Sequence, residues 1–217
     1  MRQTLTNLRK ETETTLKTFY ALKQFRKFLS SPEDVNIINH NPDFWRIFEV
    51  SVRTNLFIGI RRLYERKNDT FNFQQAISNF IKNINEFSKE SLRERKLAGS
   101  PDANEWIDSY ISEACEATPE DIKRLAKGVR RNSKRMNGPY TKAASKIYAH
   151  AIHMDYAVIS QITDQLSFDE IEVALESIWH CYNQIWQMYE NGSKPNFEVE
   201  KYPYSQEVID CLNKQLV

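Results

Sequence analysis

A chain of 217 residues can bury one sizeable core, and 5 glycines and 7 prolines are too few for a turn-rich all-β fold. Charged residues at 27% and aromatics at 12% describe a folded chain and exclude a disordered one. The formal net charge of +1 says nothing about partners, so an electrostatic signal must lie in how the charges are distributed.

In chain order, Leu5, Leu8, Leu16, Phe19, Leu22, Phe25 and Phe28 recur at helical spacing and predict a helix from Thr4 to Leu29, stopped by Ser30-Ser31-Pro32. Asn41-Pro42 pairs an N-cap with a first-turn proline. The segment behind it, apolar over much of its circumference, predicts a central helix ending in Arg61, Arg62, Arg66 and Lys67. A third helix is expected from Phe73 to Phe87, with Ala76, Phe80 and Ile84 on one side. The polar stretch Ser88 to Ser100 looks like an excursion from the bundle, and Trp106, Ile107, Tyr110 and Ile111 mark a short amphipathic helix.

Thr118-Pro119-Glu120-Asp121 is a strong helix start. The helix it opens turns Ile122, Leu125 and Val129 inward and stops at Asn137-Gly138. Pro139 opens the next, which carries Lys142, Lys146, His150 and His153. Ser167, with Asp169 and Glu170, is expected to cap the last long helix, whose seam is Ile171, Leu175, Ile178, Tyr182, Ile185 and Tyr189. Asn191-Gly192 ends it. The tail holds Phe197, Tyr202 and Tyr204 and a short helix from Ser205. No alternating strand pattern occurs. The expected fold is all-α, an antiparallel bundle of four long helices with shorter inserted ones, residues 1–195 forming one domain and 196–217 a tail.

Three widely spaced cysteines without C-x-x-C spacing argue against a disulfide framework or a zinc site and suit a reducing cytosol. No apolar run approaches a membrane span, so the expectation is a soluble, cytoplasmic protein without membrane contact. No glycine-rich phosphate loop, nucleophile elbow or paired carboxylates appear, and no cofactor or metal is expected.

From Ile122 to Met154 there are nine basic residues and no Asp or Glu, while the rest of the chain carries 21 basic against 29 acidic residues. Lys123, Lys127, Arg130 and Lys134 form one helical stripe, with Arg124, Arg131 and Arg135 beside it and Lys142 beyond. Such a concentrated face points to phosphates, in RNA or a nucleotide. A solvated or acid-paired helix face is the alternative. On an α-helix Lys146, His150 and His153 share one side. An imidazole beside a cation can act as general acid or base in phosphodiester cleavage, or can simply be hydrogen-bonded at a helix contact. His40 and His180 carry no comparable context.

The segment S-K-I-Y-A-H, preceded by R-R-L-Y-E-R and followed by S-F-D-E-I, resembles the HEPN superfamily, and most of all its abortive-infection U-type branch, over roughly Phe44 to Tyr189. The resemblance implies a HEPN-like helical homodimer in a phage-defence or toxin–antitoxin setting, with an antitoxin or other protein as partner. It also implies a metal-independent endoribonuclease site of His150 with Lys146 and His153. Lys146, Ala149 and His150 match the R-N-K-x-x-A-H form of the motif, but Ala144 stands at the arginine position and Ser145 at the asparagine. Counted from His153, the arginine position falls on Lys146, which lacks the bidentate fork. A catalytically inactive dimeric interaction module is the alternative that this departure leaves open.

Overall fold

The structure, a computed structural model, describes residues 1–30, 32–66, 70–148, 162 and 164–215. Four long helices carry it: α1 (Arg2–Phe28), α3 (Pro42–Tyr64), α7 (Pro119–Arg135) and α8 (Phe168–Asn191). Shorter ones are α2 (Pro32–Asn39), α4 (Phe73–Lys82), α5 (Lys89–Gly99), α6 (Ala103–Glu113) and α9 (Ser205–Gln215). No strand occurs among the described residues. The all-α expectation holds.

Cross-helix pairs fix the directions. Glu11 meets Arg62 and Thr15 meets Gly59, so α1 and α3 run antiparallel. Lys23–Glu172 and Arg2–Glu190 set α8 antiparallel to α1, and Arg135–Glu170 with Asn132–Ser177 does the same for α7 and α8. The predicted apolar positions supply the core: Leu8, Leu16, Phe19, Leu56, Ile60, Phe80, Ile122, Leu125, Leu175 and Ile185 are all buried together. At about 25 cal/mol per Å² of apolar surface, this burial is the main term holding the bundle closed.

Local chemistry sets the ends. Asn41 accepts from the Phe44 N–H, and Thr118 forms a full capping box with Asp121. Gly192 closes α8 in the left-handed region at φ 60°, where a Cβ would also press on Ala114 and Leu92. The stop at Ser30 is brief, because Pro32 opens α2 as a first-turn proline instead of ending helical structure. The third helix breaks sooner than expected: after Lys82 the chain tightens into a 3₁₀ turn, Ile84–Phe87. The polar excursion is itself a helix, α5, tied back to α8 by the Arg95 guanidinium, which donates to the carbonyls of Glu86 and Tyr189.

Ser167 stands at the start of α8, but its side chain makes no capping bond. Tyr140 does the work. Its buried hydroxyl accepts from the Ser167 N–H at 2.8 Å and donates to Glu170 Oε2 at 2.6 Å, while Arg135 holds the same carboxylate at 2.9 Å. Tyr140 first, and Arg135 after it, hold the Glu170 carboxyl below the usual carboxylate range. A depressed carboxyl stabilises the fold above its unfolded value, about 4.3, and that contribution is lost as pH falls through the lower folded value. Tyr140→Phe is therefore expected to lower stability by about 1–3 kcal/mol near neutrality. The gap to wild type should narrow below pH ~4, as read by urea unfolding across pH.

Candidate nucleic-acid interface

Helix α7 turns one side to the core and the other to solvent. Ile122, Leu125, Ala126 and Val129 are buried, whereas Lys123, Arg124, Lys127, Arg130, Arg131, Lys134 and Arg135 are all exposed. The 3.6-residue period gathers Ile122, Leu125, Ala126 and Val129 on one side of the helix and leaves the basic residues on the rest of its circumference.

Not all of these charges are free. Lys123 pairs with Glu120 at 3.1 Å, and Arg135 is held by Glu170 and by the Gln165 carbonyl. Lys127, Arg130, Arg131 and Lys134 have no acidic partner among the described residues. The alternative of an acid-paired face thus applies to the two ends of α7 and not to its middle. Arg124 also lacks an acid, but its guanidinium carbon lies over the Phe197 ring, 3.8 Å from its centre, which holds it against the tail.

A cavity flanks the face on each side. One, of about 740 Å³, opens between the end of α3, the start of α4 and α7, with Arg66 and Arg130 in its wall and the Arg66 guanidinium 3.4 Å from Ser133 Oγ. The other, of about 290 Å³, lies between α7, α8 and the tail, with Arg124, Lys127, Arg131, His180 and Phe197 around it.

His180 has little to recommend it in sequence, and the fold gives it a place. It is only 3% exposed, its Nδ1 accepts from the Glu200 N–H at 3.3 Å, and its Nε2 makes no hydrogen bond among the described residues. Burial pushes its pKa down, against smaller opposing pulls from the Glu200 carboxylate and the Asn196 backbone. The missing signal is the tail: residues 196–200 reach His180 only through tertiary packing, which Tyr202 anchors by inserting against Trp179 and Tyr20. Cys181, next in sequence, is buried on a different side and its thiol is pushed well up, so it forms no dyad with His180.

Lys142 and Lys146 stand apart from the α7 stripe. Residues Met136–Tyr140 and Ala144–Tyr148 form π-helical turns, and non-helical backbone at Gly138 kinks the chain just beyond α7. The segment after the kink lies on α3, where Tyr148 stacks on Phe57 at 4.6 Å. Lys142 and Lys146 are both exposed there, while Ala143 and Ala144 are fully buried. As expected, the kink at Gly138 ends one helix and a second runs on from Pro139 to Tyr148, α-helical at Thr141–Ala143 and π-helical beyond it. His150 and His153 fall outside the described residues. Among the described residues no three potential metal ligands converge, and no helix is long and apolar enough to cross a membrane.

The model of the HEPN_AbiU2 family (AbiU2) matches residues 2–205, and the chain belongs to this family. Membership puts the protein in the setting of abortive infection, a form of phage defence. No curated protein and no solved structure matches it.

Proposed function

We propose that the protein acts in this defence setting by binding RNA or a nucleotide through the outward face of α7. The observation that carries the reading is the run of Lys127, Arg130, Arg131 and Lys134, which are exposed, adjacent and without acidic partners among the described residues. Like charges on neighbouring turns repel one another, so a face left this way favours a polyanion. Binding is better supported than cleavage. The arginine position of the motif is Ala144, in the core, so His150, Lys146 and His153 would have to work without the guanidinium that a HEPN ribonuclease site is expected to use.

Reversing the middle of the stripe tests this directly. Lys127→Glu/Arg130→Glu/Arg131→Glu/Lys134→Glu is expected to weaken binding of a 12-nucleotide single-stranded RNA by at least about 100-fold at low salt, by fluorescence anisotropy, without changing the helical circular dichroism. Unchanged affinity in the folded variant would remove the reading.

A second reading has its own observation. Phe44, Ile47 and Val50 line successive turns of α3 and are all more than half exposed, Ile47 by 63%. Such a strip suits an apolar protein interface, either with a second copy or with a different protein. Salt separates the two, since an apolar contact is insensitive to the ionic strength that weakens phosphate binding.

A further inference from the structure

We infer that the cavity between α7, α8 and the tail seats one phosphoryl group, with Arg124, Lys127 and Arg131 as its cationic ligands. This rests on the reading of the α7 face as a phosphate-binding surface, and it names the point on that face where a phosphate is held and not merely attracted.

Four features set this place apart from the rest of the stripe. First, three cations surround one cavity, and none has an acidic partner among the described residues. Second, Arg124 is pre-positioned: its guanidinium carbon lies over the Phe197 ring, 3.8 Å from its centre, which limits the side chain's freedom before a ligand arrives. Third, the wall includes a buried imidazole whose Nε2 has no hydrogen-bond partner among the described residues. Because Nδ1 accepts from the Glu200 N–H, the neutral ring carries its proton on Nε2.

Fourth, the floor is Gly128, the one position of α7 facing this cavity without a side chain. A Cβ there would lie 4.0 Å from Ser177, an ordinary contact, so packing does not require glycine. In a helix interior glycine costs about 1 kcal/mol relative to alanine, yet here it keeps the cavity open. The volume of about 290 Å³ lies at the small end for ligand pockets, which suits a phosphoryl group with little else enclosed. The group can belong to an RNA strand or to a mononucleotide, and the chemistry recognised is the same.

Gly128→Leu fills the cavity without altering a charge, and helix propensity favours the substitution. Its effect is measured with two probes, adenosine 5′-monophosphate and a 12-nucleotide single-stranded RNA with a 5′-hydroxyl. Calorimetry gives the affinities, and ¹⁵N-histidine spectra follow the His180 ring. If the group comes from a strand, the variant loses about ten-fold in RNA affinity, and RNA shifts the wild-type His180 signal. If it comes from a mononucleotide, the same loss and shift appear with the monophosphate. Arg124→Ala/Arg131→Ala should reproduce whichever loss is seen, so the test survives a misfolded leucine variant.

Affinities in folded Gly128→Leu within about two-fold of wild type for both probes, with an unmoved His180 signal, overturn the inference. If RNA binding is then still lost in the four-fold charge reversal, only the cavity is removed and the basic-face reading stands. Wild type binding neither probe removes both.

Discussion

Ala144→Arg, the substitution that restores the family arginine, is expected to unfold the protein instead of arming it. Ala144 is fully buried at the start of the second π turn, on a segment that packs against α3. An arginine there adds a long side chain to a filled core, at a cost of about 1–3 kcal/mol, and buries a charge with no partner, for about 3–5 more. Domains of this kind have about 5–15 kcal/mol in hand, so the variant should be largely unfolded or melt more than about 10 °C below wild type. Lys146→Arg, two residues on and exposed, should leave the melting temperature within about 1 °C. The pair separates a defect of place from a defect of chemistry. An Ala144→Arg protein as stable as wild type would mean that this position opens toward solvent after all.

Gly59→Ala is the second change with a large expected effect. The helices α1 and α3 cross at this residue, and a Cβ would run into the Thr15 hydroxyl and come within 3.0 Å of its Cγ2. Thr15 cannot simply step aside, since it is buried and its hydroxyl donates to the Glu11 carbonyl at 2.7 Å. Alanine gains about 1 kcal/mol of helix propensity, but separating the two helices exposes the Leu16, Leu56 and Ile60 contacts on both sides of the crossing. The net expected loss is about 1–2 kcal/mol. Thr15→Ala removes the obstructing atoms, so the double variant should recover at least about 1 kcal/mol of it. Strictly additive losses in chemical denaturation would show that the crossing is not the cause.

Where periodicity alone determined the outcome, the sequence was legible. Leu5 through Phe28 on α1, Ile122 through Val129 on α7 and Ile171 through Tyr189 on α8 are buried as their spacing requires. The capping box at Thr118 formed as its residues dictate, because it involves only neighbours in sequence. Ser167 shows the limit: it has the right residue type at a helix start, yet Tyr140, 27 residues away, satisfies its N–H.

The candidate site divides in the same way. The basic stripe is a property of one helix, so its membership was readable, but that Glu170 pairs with Arg135 and Phe197 lies against Arg124 depends on tertiary packing. His180 could not be placed without knowing that residues 196–200 fold back over α8. The break before Lys142 and Lys146 was legible at Asn137-Gly138, where Gly138 kinks the chain, whereas the π turns on either side of Thr141–Ala143 left no mark in the sequence.

The measurement closest to the central claim is the salt dependence of RNA affinity, wild type beside the four-fold charge reversal at residues 127, 130, 131 and 134. Each phosphate neutralised on a single strand contributes about 0.7 to the slope of log K against log salt. If Lys127, Arg130, Arg131 and Lys134 each meet a phosphate, wild type should show a slope of about −3 and the variant a slope near zero. A shallow slope in wild type, or a steep one that the charge reversal leaves unchanged, would contradict the assignment of the α7 face as the RNA or nucleotide surface.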